Sequence, residues 1–146
     1  MPMPLNKAAY APLSGPSRPL LDKFYRQHKS AMRLPAEAQG WVARNGEIIA
    51  GLCLTPLSQG QWLTGLLVSP GWRGRGVAQG LIEASIAAGP VWLFCNPQLR
   101  GFYERVEFEV TGDLPAALGE RLKRYQQTKQ LIAMARREAK IGATRL

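Results

Sequence analysis

Residues 66–82, reading LLVSPGWRGRGVAQGLI, constrain the fold more than any other stretch of this chain. An apolar run stops at Pro70, Gly71, Gly74 and Gly76 crowd a turn, and apolar residues then resume at helical spacing. The pattern predicts a strand fed through a tight turn onto the first turn of a helix. Glycine lets the backbone approach a ligand closely, and the first helical turn exposes N–H groups with no intrahelical partner at its positive end. With Arg73 and Arg75 beside them, those groups form a site for a phosphate or pyrophosphate. A glycine-rich turn that binds nothing has the same spacing, so spacing alone leaves both readings open.

The rest of the chain supplies elements around that turn. Pro2, Pro4, Pro12 and Pro16 allow only a short edge strand in the first sixteen residues. Ser17 is read as the cap of a helix running to about Lys29, with Leu20, Leu21, Phe24 and Tyr25 on one face. Residues 30–40 form a looser segment. Strands over 41–44 and 47–54 join across Asn45-Gly46, the strongest short hairpin signal available. Residues 57–60 form a turn and 61–69 a third strand. After the glycine-rich turn, Val77, Leu81, Ala84 and Ala88 make an apolar stripe on a helix that Gly89-Pro90 stops. Residues 91–95 (VWLFC) form a continuous apolar run, as a strand buried on both faces requires. A short helix over 97–105, a strand over 107–111, a helix over 115–128 and a last strand over 131–135 complete a mixed α/β plan.

Composition excludes several classes. The 146 residues, 46% of them hydrophobic, suit one packed domain. No run approaches the roughly 20 apolar residues a membrane span needs, and MPMPLNK lacks a signal-peptide pattern, so a soluble cytoplasmic protein is expected. Cys53 and Cys95 are too few for a disulfide scaffold and lack metal-ligand spacing, so no metal is expected. The formal net charge is +9, and residues 121–146 hold eight basic residues against one acid, which is +7 of that total. A solvated helix face and a basic tail over 136–146 account for this without a nucleic-acid site. Only one aromatic, Tyr125, lies in that region, and no recognised nucleic-acid motif is present.

Two nucleotide-binding readings of the turn fail. A dinucleotide fingerprint needs G-x-G-x-x-G, yet Gln79 stands at the third position and the glycine comes one late, at Gly80. A Walker loop needs Gly-Lys-Ser/Thr, which is absent. Instead, Arg73-Gly74-Arg75-Gly76-Val77-Ala78 resembles the R/Q-x-x-G-x-G/A acyl-CoA loop of the GNAT family of N-acetyltransferases. Leu67-Val68-Ser69-Pro70 is similar to the end of that family's fourth strand. The run Cys95-Asn96-Pro97 through Phe102-Tyr103-Glu104-Arg105-Val106-Glu107-Phe108 is similar to its fifth strand and following helix.

The resemblance implies a single GNAT-like acyl-CoA-binding domain over residues 1–135. Its fold would be a twisted central mixed sheet of about six to seven strands, flanked by helices, with a splayed fourth/fifth strand pair. It further implies that backbone amides of Arg73, Gly74, Arg75, Gly76, Val77 and Ala78 hold the pyrophosphate of acetyl-CoA. Backbone groups of Leu66, Leu67 and Val68 would pair with the pantetheine arm and polarise the thioester carbonyl. Asn96 matches a position that contacts the cofactor. Tyr103 matches the tyrosine that protonates the departing CoA thiolate, a role suited to a phenol that is neutral at physiological pH. The implied reaction is acetyl transfer to a primary amine of a small molecule or peptide, by direct attack in a ternary complex.

Two departures from the family pattern stand out. Residues 61–66 carry no acid where many relatives place a basic carboxylate, so Glu47 and Glu104 remain only substitutes. Glu107 stands where the family often has glycine. The missing carboxylate keeps open a CoA-binding sensor without catalysis, and the basic end keeps open a nucleic-acid module. His28 is read as a cation near a helix C-terminus. Cys53 and Cys95 are read as core thiols, Trp41, Trp62 and Trp92 as core, and Trp72 as a neighbour of the cofactor. The acceptor's identity and any homodimer are not legible.

Overall fold

The computed structural model describes residues 7–87 and 89–137. Pro2, Pro4, Ala88 and residues 138–146 of the basic tail lie outside the described residues. Seven strands follow the order β1-β2-β3-β4-β5-β7-β6, and the chain divides into two compact units.

The first unit comprises residues 1–55 and 63–86. The edge strand β1 (Ala9–Pro12) pairs antiparallel with β2 (Gln39–Asn45), from Ala9 opposite Arg44 to Pro12 opposite Trp41. Strand β2 turns at Gly46 into β3 (Glu47–Leu57), with an irregularity between Ala43 and Arg44. Helix α1 (Pro19–Gln27) buries Leu21, Phe24 and Tyr25 among Leu13, Leu34, Ala38, Val42 and Cys53. Gly51 is required beneath it, because a Cβ there would run into Leu21. Helix α2 (Val77–Ser85) contacts β1 and β2.

The second unit comprises residues 56–62 and 87–146. Strand β5 (Val91–Cys95) pairs antiparallel with β7 (Ile132–Arg136), from Val91 opposite Arg136 to Cys95 opposite Ile132, and β7 carries the two-residue β6 (Glu109–Val110). Helices α3 (Arg100–Arg105) and α4 (Ala116–Gln126) belong here. Trp92, Leu118 and Ala135 form its core, with Leu57, Trp62, Phe94 and Leu114 packed against them. Strand β4 (Gly60–Val68) contributes its first residues to this unit and the rest to the first. Its parallel ladder with β5 consists of two pairs, Gln61 with Val91 and Trp62 with Trp92.

Several local expectations are corrected. Ser17 does not cap α1; it ends a 3₁₀ turn (Gly15–Ser17), and Pro19 opens the helix after Arg18 with no side-chain cap. Leu20 is consequently 40% exposed rather than inward. On α2, Ala84 is exposed and Ser85 is buried in its place, its hydroxyl donating to the Ile82 carbonyl at 3.2 Å. The helix ends at Ser85 because Ile86 is extended. Of the tryptophans read as core, only Trp92 is fully buried; its Nε1 donates to the Asp113 carbonyl at 3.1 Å, whereas Trp41 and Trp62 are half-buried. Strand β6 begins at Glu109 because Glu107 takes φ 76°, the left-handed conformation that glycine favours. Arg136, placed in the tail by its sequence, is the buried last residue of β7.

Candidate functional site

The segment between β4 and α2 is built as the glycine spacing predicts. Pro70–Trp72 forms one 3₁₀ turn, Arg73 is extended, and Gly74 and Gly76 adopt φ 76° and 79°. Gly76 is the N-cap of α2 and accepts a 3.0 Å bond from the Gly80 N–H. No side chain caps this end, and no acid lies in its first turn. The N–H groups that begin α2 therefore carry positive partial charge with no acid in the first turn to neutralise it. A Cβ built on Gly74 or Gly76 would meet nothing within 4 Å, so the space in front of the turn is open. Val77 anchors the helix start in the core at 1% exposure, and Ala78 is half-buried.

The two arginines have local partners. Arg73 Nε donates to the Val68 carbonyl at 3.0 Å, tying the loop to the end of β4. The Arg75 guanidinium lies 5.0 Å from the centre of the Trp72 ring, a cation–π contact. Trp72, read from sequence as a neighbour of the ligand, thus also holds Arg75. Leu66, Leu67 and Val68 are half-buried on β4, and Leu67 packs against the first unit's core. Ser69 N–H donates to the Ile49 carbonyl at 2.8 Å, where β4 ends.

Asn96 and Tyr103 belong to the second unit. Asn96 Oδ1 accepts the Gln98 N–H at 2.8 Å and caps the 3₁₀ turn Pro97–Leu99 that leads into α3. Tyr103 on α3 is 7% exposed, with Phe102 and Phe108 edge-on to its ring at 5.0 and 5.9 Å. Burial, and secondarily the neighbouring Cys95 thiol, pushes its phenol up to about 12. The group is neutral at physiological pH, and its proton is held more tightly than an ordinary tyrosine's. Glu104, a substitute base by sequence, is paired with Arg100 at 2.8 Å on the exposed face of α3. Glu47 is exposed at the β2–β3 turn and lines a cavity of about 230 Å³ with Lys23, Gln27 and Arg44.

Residues 36–110 match the family described as an acetyltransferase (GNAT) domain. The chain belongs to the GNAT acetyltransferase family. Solved structures agree in fold. N-acetylglutamate synthase from Neisseria gonorrhoeae, complexed with coenzyme A and N-acetyl-glutamate, aligns at a TM-score of 0.65 and 15% identity over 92% of this chain. This chain spans only 36% of that synthase. A GNAT-family acetyltransferase from Staphylococcus aureus aligns at 0.60 and 14% identity, covering 89% of this chain and 98% of its own. An acyl-CoA N-acyltransferase from Pseudomonas aeruginosa aligns at 0.58 and 17% identity, covering 89% and 99%. No curated protein matches in sequence. Among the described residues, no helix is long and apolar enough to cross a membrane.

Two features of this GNAT chain escaped the reading of its sequence. His28, at the C-terminus of α1, uses both ring nitrogens: Nδ1 is 3.0 Å from the Phe24 carbonyl, and Nε2 is 3.0 Å from Ser69 Oγ. A carbonyl only accepts, so Nδ1 carries a proton. The ring therefore links α1 to the end of β4 just before the loop. The second feature is Gly65, whose φ of 69° breaks the regular path of β4. An isolated glycine inside a strand is the sequence signal for such a break, and it was there to be read.

Proposed function

We propose that this protein transfers the acetyl group of acetyl-CoA to a primary amine of a small molecule or peptide, in a ternary complex. The observation that carries the reading is the start of α2: two positive-φ glycines, open space before them, flanking arginines and no acid, within the segment that matches the family. In this reading the amides of Arg73, Gly74, Arg75, Gly76, Val77 and Ala78 hold the diphosphate. Anions at a helix N-terminus gain hydrogen bonds and dipole stabilisation together, and a side chain at either glycine would push the diphosphate away. Leu66, Leu67 and Val68 pair with the pantetheine arm, with the Val68 carbonyl already shared with Arg73. Asn96 meets the cofactor through its amide nitrogen, since its oxygen is occupied by Gln98.

The chemistry is one substitution at carbon. The amine lone pair attacks the thioester carbonyl, the C–N bond forms, and backbone N–H groups stabilise the oxyanion. The C–S bond then breaks and the sulfur leaves with the electron pair. Tyr103 donates a hydrogen bond and then its proton to that sulfur, and the proton shed by the new ammonium returns to the phenolate through solvent. A phenol near 12 is a weaker acid than a thiol, so handing its proton to the sulfur is uphill by itself and is driven to completion by the proton that the ammonium returns to the phenolate. No carboxylate is assigned as base. A single acyl-CoA domain working in the cytoplasm, singly or as a homodimer, completes the proposal.

Calorimetric titration with acetyl-CoA, compared with dephospho-CoA and ATP, tests it. One-to-one binding of both CoA species, with ATP much weaker, supports the reading; no binding of any CoA species refutes it.

A further inference from the structure

Tyr25 lies at the centre of the first unit with no exposed surface, its ring beside Phe24 at 6.1 Å. Its hydroxyl donates a 2.6 Å hydrogen bond to the carbonyl of Gly65, forty residues away on β4, and lies 3.5 Å from Cys53 Sγ. Gly65 is the residue at which β4 leaves its regular path, with φ 69°. Only glycine fits: a Cβ there would lie 2.5 Å from the Tyr25 hydroxyl and 3.3 Å from the Met32 methyl.

A strand residue in the left-handed region turns the next peptide groups away from where a regular strand would point them. The residues so turned are Leu66, Leu67 and Val68. The kink leaves the half-buried Gly65 carbonyl facing the Tyr25 hydroxyl of α1, and a carbonyl turned away from water needs a donor. Tyr25 supplies it. Burial, with the Cys53 thiol beside it, pushes this phenol far above its ordinary range, so it remains a donor at any working pH. The bond thus fixes one conformation of β4 from a helix that belongs to no cofactor motif.

We propose that Tyr25 is a positioning residue for acetyl transfer: its hydroxyl holds the Gly65 kink so that the backbone N–H groups of residues 66–68 face the thioester carbonyl. This role rests on the acetyltransferase reading above. It assigns to the Tyr25–Gly65 pair a function separate from core packing, because phenylalanine would fill the same volume and leave the carbonyl unheld.

The test uses acetyl-CoA labelled with ¹³C at the thioester carbonyl and needs no acceptor. Bound to the wild-type protein, the labelled carbonyl stretch moves to lower frequency than in solution, because hydrogen bonds to the oxygen weaken the C=O bond. In Tyr25→Phe, acetyl-CoA still binds through the α2 loop, and most of that shift is lost. Cys53→Ala, which keeps the Tyr25–Gly65 bond while disturbing the same core, retains the shift. If Tyr25→Phe fails to fold, Gly65→Ala keeps the ring and displaces the hydroxyl, and the same loss is expected. An unaltered shift in Tyr25→Phe, or in a folded Gly65→Ala, overturns the role of Tyr25 while leaving the acetyltransferase reading intact. Equal loss in Cys53→Ala also overturns it, by making the effect one of packing. Wild-type protein that fails to bind acetyl-CoA overturns both together.

Discussion

Gly76→Ala separates a ligand-binding turn from a merely structural one, because the structure makes the two costs very different. In the free protein the added methyl meets nothing within 4 Å, so there is no clash to relieve. What remains is the backbone: φ is 79°, where a residue bearing a Cβ is disfavoured by about 1–2 kcal/mol. Alanine recovers about 0.4–1 kcal/mol by restricting the unfolded chain, so the net loss of stability is between about 0 and 1.6 kcal/mol, with about 1 kcal/mol as the central value. For a chain of this size that is a fall in Tm of about 2–4 °C.

The bound state is affected far more. The methyl projects into the open space before the first N–H groups of α2, where the proposed reading puts the diphosphate. Losing one or two hydrogen bonds to a charged group, each worth about 1.5–3 kcal/mol, weakens acetyl-CoA binding by about 10- to 100-fold or more. Calorimetric titration of wild type and variant measures this, and thermal unfolding without ligand measures the backbone cost. S-acetylpantetheine, which has no diphosphate, is the control, and its affinity should not change. Wild-type-like affinity for acetyl-CoA in the variant refutes the reasoning. So does an equal loss for S-acetylpantetheine, since the substitution would then be disturbing the loop as a whole.

Three further outcomes are expected. Tyr103→Phe keeps the ring between Phe102 and Phe108 and removes only the hydroxyl, so steady-state turnover falls by about 10²-fold or more while calorimetric affinity for acetyl-CoA is retained. Unchanged turnover removes Tyr103 from the mechanism. Because burial raises the Tyr103 phenol from 10.0 to about 12, the unfolded chain ionises first. The associated stability is complete below pH 10 and is lost as pH rises towards 12, by up to about 2–3 kcal/mol. Urea unfolding on either side of that window measures the fall, and Tyr103→Phe should reduce it. Gly60→Ala drives a Cβ into the Pro90 carbonyl, the acceptor of the Gln61 N–H bond at 3.0 Å that begins the β4–β5 ladder. Overpacking against backbone there costs about 1–3 kcal/mol, read as a lower urea midpoint.

The parts of this fold that were legible are those encoded by neighbours in sequence. Asn45-Gly46 fixes the β2–β3 hairpin, VWLFC names the doubly buried strand, and the glycines of the loop mark the start of α2 to within one residue. The errors arise where two local rules compete. Ser17 is a good cap by residue type, but the 3₁₀ turn with Pro16 takes it and Pro19 starts the helix later, so Leu20 rotates outward. Ala84 fits the apolar spacing of α2, but alanine is tolerated on either face, and burial goes to Ser85, whose hydroxyl is satisfied within its own helix. The Tyr25–Gly65 bond was illegible for a different reason. No period relates residues forty apart, and a tyrosine on an apolar stripe shows its ring to the pattern but not the partner of its hydroxyl.

Glu107 shows that a departure from a family's residue need not be a departure from its backbone. Its φ of 76° keeps the left-handed turn that glycine supplies elsewhere, and the adjacent bonds from Glu107 N–H to Glu104 and from Phe108 N–H to Tyr103 close the end of α3 around Tyr103. A non-glycine residue there is strained by about 1–2 kcal/mol, so the surrounding contacts must over-determine the turn. The arginines call for the same reasoning from geometry over residue type. Arg73 is bonded to Val68 and Arg75 is stacked on Trp72, so neither is a loose charge waiting for phosphate. In the proposed reading, the helix start itself recognises the diphosphate, with the arginines fixing its shape. Of the +9 formal charge, +7 falls in residues 121–146, well separated in sequence from this loop. Net positive charge accelerates the encounter with an anionic ligand, whereas positioned N–H groups decide how long it stays.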